Sequence, residues 1–585
     1  MQPEGGWRWI LGVTALTALA WSPVRDCGWF WDDRGTFLTN AWLLGPDFFS
    51  QSLRPHLGHW QPLSWWSLRL DRALWTDLAG VPAPRAHLLS NVLFHAGSAA
   101  ALTALLLEVL RLRARATSSQ TRGAAAALGA LAWALHPARV ESVAWATERR
   151  DVLATLLALL GLLAWLTWRV SMQPRGAPAQ DDDHGRSTPP RPTALLVAVV
   201  CFSLSALAKA WVVALPGALL GLEIGLFGVA ALRDSLRRSA MWLGLAIPVA
   251  VIAALAQHSA GATADGGLGG VARVVGAGHN LLTYLGLTAL PLALAPLHPL
   301  VPGTALDATH VAGLVGAVAM SVLLVLRAAR PTPSPQLLAL LGGWIGFVAW
   351  LAPVLGLMQS GVQAVAERYL ILAHVPLVIL AVEPLARWLQ QRRVAAIGLT
   401  LLVVLAWSGR MLAWQQVWIA GPEALWTAAI AAEPRSVHAR VNRAALRLAR
   451  DAPVGDDLTI ALALAPRDAT AWKVEAEVLR RAGQPAAALR ALRRAAQLAP
   501  GDTAVQCNLG AALASQGQPV EAMALLDAAI ASRDDPACRL NRAVLLVQTG
   551  RRQAATVDVD AALAMLPRDH PEHSRAVGMS RALRR

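Results

Sequence analysis

The chain is short of the residues that make a soluble surface. Only 15% of its 585 residues are charged, against about 25% in ordinary globular domains. The shortage falls on the acids, with 37 Asp and Glu set against 52 Lys and Arg. Together with 55% hydrophobic residues and a mean hydropathy of +0.44, this excludes a simple soluble domain. The net charge of +15 does not point to nucleic acid. The basic residues, mostly arginines, lie in short loops between apolar segments, where they orient a membrane chain. Cysteine is scarce too: Cys27, Cys201, Cys507 and Cys538 have neither metal-ligand spacing nor the density of a disulfide framework. Cys507 and Cys538 could meet across neighbouring repeats, but free thiols are the expectation. No small-residue cleavage site follows the first apolar run, which reads as a retained anchor.

Long apolar runs are abundant. A crossing helix needs roughly 20 residues. The candidates are Trp7–Val24, His87–Leu110, Ala124–Leu135, Val152–Trp168, Thr193–Ala208, Trp211–Leu232, Ala240–Gln257, His310–Leu326, Leu337–Leu357, Leu370–Pro384 and Val394–Leu412. A further apolar segment, His279–Pro296, is broken by Pro291 and Pro296. Arginine clusters follow every second span: Arg111, Arg113, Arg115 and Arg122; Arg169 and Arg175; Arg233, Arg237 and Arg238; Arg327 and Arg330; Arg387, Arg392 and Arg393. The positive-inside rule makes these loops cytoplasmic. They alternate correctly only if His279–Pro296 does not cross, so an interfacial or re-entrant helix is expected there. The fold class is all-α, with a polytopic membrane domain of about eleven spans over residues 1–417. Its N-terminus is cytoplasmic, and residues 418–585 lie outside the cytoplasm. The long first external loop, residues 25–85, carries Trp60, Trp65, Trp66 and Trp75 among leucines, which suits the headgroup layer. The linker Met172–Pro192, with Asp181, Asp182 and Asp183, reads as a solvated cytoplasmic loop.

From about Trp418 the chain turns rich in Ala, Leu and Arg and takes on helical periodicity. Gly483, Gly517 and Gly550 recur at a period near 34, as do Pro434, Pro466, Pro500 and Pro567. Gln484-Pro485 and Gln518-Pro519 each open a small-residue helix. This is the tetratricopeptide pattern, about four units forming an α-solenoid. Such a stack either scaffolds or offers a concave surface to a peptide.

Charged clusters mark candidate chemistry. Asp32 and Asp33 follow the aromatic run Trp29-Phe30-Trp31 and precede Arg34; one of two adjacent carboxylates is suited to accept a hydroxyl proton. The run from His136 to Asp151 holds Arg139, Glu141, Glu148, Arg149 and Arg150 between two spans. Arginines there match a phosphate in the headgroup zone, or anchor helix ends. Lys209 and Glu367-Arg368-Tyr369 fall on the same external side. His87, Asn91 and His95 share a helical face, for packing or for zinc. Glu223 lies inside a span as a buried structural partner.

In order along the chain, Trp31–Arg34 with Asn40, Trp60-Gln61-Pro62-Leu63 with Asp71, His87-Leu88-Leu89-Ser90-Asn91 with His95, His136-Pro137 with Glu141–Trp145, Arg149-Arg150-Asp151, Lys209 with Pro216, and Glu367-Arg368-Tyr369 make the chain resemble one family. That family is the transmembrane-and-tetratricopeptide-repeat O-mannosyltransferases and their bacterial relatives, within the GT-C glycosyltransferases. Glu223 and Ile371 depart from the family pattern, which tends to Asp and Tyr at those places. The resemblance implies an inverting transferase that takes a sugar, often mannose, from a polyprenyl phosphate to Ser or Thr of a protein. Asp32, or else Asp33, would be the base, aided by Glu141. Arg149, Arg150, Lys209 and Arg368 would hold the donor phosphate, with Arg34, His136, Tyr369, His87 and Asn91 in support. No cofactor is required, although Asp32 and Asp33 leave room for a divalent cation. The expected partners are the lipid donor, an acceptor protein on the repeats and the bilayer, with no nucleic acid. The expected place is a bacterial inner membrane with periplasmic repeats. The competing reading is a non-catalytic membrane anchor that presents a repeat scaffold.

Overall fold

The computed structural model describes residues 5–172, 191–229, 232–259, 269–299, 307–357, 363–566 and 571–584, apart from residues 39, 44, 57 and 82. The linker with Asp181, Asp182 and Asp183 and the side chain of Arg34 lie outside the described residues. The chain divides into two units, Met1–Trp29 with Phe49–Gly421 and Phe30–Phe48 with Pro422–Arg585. The boundary falls a turn beyond the expected one because the helix Arg393–Ile419 runs on through the buried Trp414 and Trp418. Phe30–Phe48, expected to belong with the rest of the first loop, is grouped with the repeats instead.

Among the described residues of the first unit, seven helices are long and apolar enough to cross a membrane: Arg85–Arg113, Ala146–Ser171, Ala210–Phe227, Ala308–Ala328, Pro335–Val354, Glu367–Gln391 and Arg393–Ile419. Leu232–Ala240 and Leu243–Ser259, bent by 45°, add an eighth if taken as one span. Gly6–Trp21, Ser119–Ala134 and Pro192–Ala208 have 16, 16 and 17 residues, short of the roughly 20 that a crossing takes.

Side-chain contacts fix the helix directions. Arg113, ending its helix, pairs with Glu383 at 2.9 Å and donates to the Leu226 carbonyl at 2.8 Å. Arg169, ending Arg149–Ser171, meets Glu223 at 2.8 Å, where Arg238 also arrives at 3.1 Å. Glu223 is thus the buried structural partner that was expected. Ala328 packs with Ile224 and Leu338 at this same basic end. The helices Arg85–Arg113, Arg149–Ser171, Leu215–Phe227 and Leu370–Gln391 therefore end together, and their starts gather at the other end.

The segment expected as interfacial or re-entrant is a helix that begins earlier, Gly270–Ala289. Asn280 donates to the Leu355 and Ala364 carbonyls at 2.9 and 3.1 Å. Tyr284 Oη accepts from Ala366 N at 3.1 Å, and Thr288 lies 2.9 Å from His374. Beyond the helix, Ala295 N donates to Glu367 at 2.6 Å, and His298–Pro299 pairs with Gln363–Val365. All these partners sit near the start of Leu370–Gln391, so the segment enters and returns on one side.

Small residues set the closest approach. Gly217, Gly221 and Gly225 lie one turn apart: a Cβ on Gly217 would meet Ala349, one on Gly221 would meet Gly342 and Gly346, and one on Gly342 would meet the Gly221 and Gly225 backbone. A Cβ on Gly221 would lie 2.4 Å from the Gly342 carbonyl oxygen, and one on Gly342 would lie 2.3 Å from that of Gly221. Backbones this close are the small-residue packing of apolar helices.

In the second unit the helices pair as Val437–Ala449 with Asp457–Leu464, Ala469–Arg481 with Pro485–Leu498, Thr503–Ser515 with Pro519–Ser532, and Pro536–Gln548 with Arg552–Met565. Pro422–Ala432 precedes them and Pro571–Arg584 follows. Gly483, Gly517 and Gly550 turn the last three pairs at φ 71, 72 and 78°, which glycine adopts without steric cost. Asp468, Asp502 and Asp535 cap the first helices. Cys507 and Cys538, expected as free thiols, form a disulfide with Cα atoms 5.2 Å apart. Stacking brings the first helices of two neighbouring repeats side by side, and with them the two sulfurs.

Candidate functional site

In the first unit a buried network of charge assembles where the four helices start. Each of those N-terminal ends carries about half a positive charge and favours anions. Glu148 lies at the centre, fully buried. Arg150 grips it at 2.6 and 2.9 Å, Arg368 lies 3.5 Å away and Lys209 3.5 Å. Lys209 also pairs with Asp151, which accepts from Ser142 Oγ at 3.1 Å. Arg368 pairs with Glu141 through its side chain and through its backbone N at 2.9 Å. Burial pushes the Glu141 carboxyl upward against the pull of Arg368. The network thus binds together residues from four separated stretches: Glu141, Glu148–Asp151, Lys209 and Arg368.

Lys209 keeps 18% of its surface, and its ammonium stands 4.7 Å over Trp211 and 5.5 Å over Tyr369. His59 is the residue that sequence reasoning missed. It is held in a tight turn by a reciprocal backbone pair with His56 at 2.9 and 3.0 Å. Burial, with the charge of Arg150 next, pushes its ring well below the ordinary range. Its only signal in the sequence was its place beside Trp60-Gln61-Pro62.

Arg149 faces the other way. Its guanidinium is fully buried and donates to Asp71 at 2.5 Å, Asn91 at 2.6 Å, the His87 carbonyl at 2.6 Å and Ser67 at 3.4 Å. Asp71 also accepts from Ser90 at 2.6 Å and lies 3.1 Å from His87 Nδ1. Burial opposes ionisation of Asp71, but Arg149 and these hydrogen bonds outweigh it and hold the carboxyl below its usual range. Asn91 further donates to the Val143 and Trp145 carbonyls, both at 3.2 Å. His95 is separate, 2.9 Å from the Ala134 carbonyl and stacked on Trp133. The shared face of His87, Asn91 and His95 is therefore spent on packing.

His136 lies in a third cluster. It is 3.2 Å from the Thr288 carbonyl, its ring 4.8 Å from that of His374. Burial and then Arg139 push it down to about 3. Arg139 is fully buried against Trp133 and His374.

Asp32 and Asp33 belong to the second unit. Asp33 is buried; its carboxylate accepts from Phe30 N at 2.8 Å and its own N donates to the Phe30 carbonyl at 2.7 Å. Asp32 is partly exposed.

The fold thus defines a body of apolar helices with a buried charge network, continued by a stack of paired helices. Residues 479–539 match the tetratricopeptide repeat family, and this part of the chain is of that class. Solved structures similar to the chain include TTC0263, a thermophilic TPR protein of Thermus thermophilus. It is 23% identical, covering 29% of this chain and 93% of its own, with a TM-score of 0.25. YrrB, described as a TPR protein with an unusual peptide-binding site, is 20% identical over 30% of this chain and 89% of its own, with a TM-score of 0.23. No curated protein matches the chain.

Proposed function

We propose that this chain is an integral-membrane glycosyltransferase that moves a mannose-like sugar from polyprenyl phosphate to Ser or Thr hydroxyls of an exported protein. The observation that carries the reading is the buried network of Glu141, Glu148, Arg150, Asp151, Lys209 and Arg368. Desolvating such ions costs several kcal/mol each, and a buried ion pair is weak evidence for stability. A network of this size is more readily explained by use than by packing. Arginine ends at the cytoplasm would put it at the outer face, and the disulfide Cys507–Cys538 fits an oxidising compartment such as the periplasm.

In the proposed reaction the hydroxyl oxygen attacks the anomeric carbon while the bond from that carbon to the phosphate oxygen breaks. The electron pair leaves with the polyprenyl phosphate, whose charge Arg150, Lys209 and Arg368 would hold. The hydroxyl proton goes to a carboxylate, assigned by the sequence resemblance to Asp32, or else Asp33, with Glu141 in support. Partial exposure favours Asp32, since Asp33 already closes its own turn. Arg149, bonded through all three nitrogens to internal partners, is given a structural part.

The test is transfer from a panel of polyprenyl-phosphate sugars to periplasmic protein, comparing wild type with Asp32→Asn and Lys209→Gln. Both variants should insert and fold, and the first should abolish transfer. Full activity in Asp32→Asn, or no transfer by wild type from any donor, would refute the reading. The scaffold alternative draws on the repeat-family match. It predicts that Asp32→Asn leaves partner binding intact, whereas deleting residues 418–585 removes it.

A further inference from the structure

The turn that carries Asp32 and Asp33 belongs with the repeats, and an aromatic contact joins the two. Trp31 packs edge-on against Trp426, ring centroids 5.0 Å apart, and lies 5.3 Å from the His438 ring. Trp426 and His438 are themselves 5.9 Å apart. Trp426 lies on Pro422–Ala432 and His438 on Val437–Ala449, the first two helices of the repeat unit. Trp426 forms a small core with Ala429 and Ala439, and Trp31, Ile430 and Leu446 pack against it. Burial holds the His438 ring below its ordinary range, so it meets the indoles as a neutral ring.

The backbone at this point is strained. Trp31 has φ 38°, a conformation that bulky residues rarely adopt. Such strain persists only where the surroundings over-determine it, and it gathers at functional sites. Immediately afterwards the chain turns tightly, with Asp33 bonded twice to Phe30 and Thr36 N donating to the Asp32 carbonyl at 2.9 Å. A clamped residue followed by a closed turn leaves the two carboxylates little freedom.

We infer that Pro422–Ala432 and Val437–Ala449 are a positioning element for the Asp32–Asp33 turn, acting through the Trp31, Trp426 and His438 rings. The inference rests on reading Asp32 or Asp33 as the proton acceptor. It ties the turn that carries the proposed base to the first two helices of the repeat unit. A base displaced by about 1 Å costs on the order of a hundredfold in rate.

The test uses the full chain in detergent with Trp31→Ala, Trp31→Gly and Trp31→Phe, which leave the repeat core intact. Hydrogen exchange over residues 30–37 reads the clamp directly. Exchange should rise about tenfold in the Ala and Gly variants and stay near wild type in Phe. Glycine relieves the strain yet lacks the ring, so a turn held by backbone alone would be as protected in Gly as in wild type, and that result would overturn the inference. Transfer to a short Ser/Thr peptide should lose kcat about a hundredfold in Ala and Gly, with KM changed little and Phe restoring it. A rise in KM at constant kcat would make Trp31 an acceptor contact and also overturn it. If exchange rises as expected while Asp32→Asn transfers sugar normally, the clamp stands and the assignment of the base falls.

Discussion

Arg149 and Arg150 are adjacent in sequence and serve different structures. Successive helix positions are about 100° apart, so one guanidinium turns to Asp71, Asn91 and His87 and the other to Glu148. The paired arginines are legible in the sequence. Their division of labour is not, because the partner Asp71 lies 78 positions away, at the end of the helix Pro62–Asp71. The consequence is a stability prediction. Asp71→Asn strands a fully buried guanidinium, and breaking a buried pair from one side costs about 3–5 kcal/mol. Thermal unfolding in detergent should show that loss near neutral pH. The folded carboxyl of Asp71 is held below its ordinary range. Its contribution is therefore complete above the usual carboxylate value of about 4 and is lost as pH falls through the folded value. The gap between wild type and Asp71→Asn should narrow in acid, and a gap that is constant with pH would refute the ionised pair.

The helices were the easiest elements to read. Apolar length located them, and the arginine clusters gave directions that the contacts at Glu383 and Glu223 reproduce. The period of glycine and proline gave the repeat pairs. What the sequence concealed was contact between elements. Gly217, Gly221 and Gly225 are spaced for close packing, but nothing local names Pro335–Leu351 as the partner. With under 2.5 Å between an added Cβ and the opposing carbonyl oxygens, the two backbones must separate to admit even a methyl group. Gly221→Ala and Gly342→Ala should each lower stability by about 1–3 kcal/mol, and the double variant should lose less than the sum, since one separation serves both. Gly244, in Leu243–Ser259, has nothing within 4 Å of an added Cβ. Gly244→Ala should hold or raise stability by up to about 1 kcal/mol. Equal losses at all three positions would show that the seam is not what holds the two helices together.

For the whole molecule the decisive variable is which face of a membrane each end meets. The Gly270–Ala289 segment returns to the side it entered, through Asn280, Tyr284 and Ala295. Within the first unit Arg113, Arg169 and Arg238 gather at one end of the helices, and the last helix carries Trp418 to within 6.3 Å of Trp145, next to the charge network at the other. Cys507 and Cys538 supply an independent check. Under the proposed orientation both sulfurs are oxidised in cells, and alkylation before reduction should label neither. Closing a span of 31 residues removes chain entropy worth about 3–4 kcal/mol, so Cys507→Ser with Cys538→Ser should lower the unfolding temperature of the repeat unit. Reductant should do the same to wild type and nothing further to the double variant. Protease added to spheroplasts should cleave the repeats from outside. If both thiols alkylate freely in intact cells and the repeats resist external protease, the helix directions are inverted with respect to the membrane. A lipid-linked donor on the outer leaflet would then face the arginine end in place of the network.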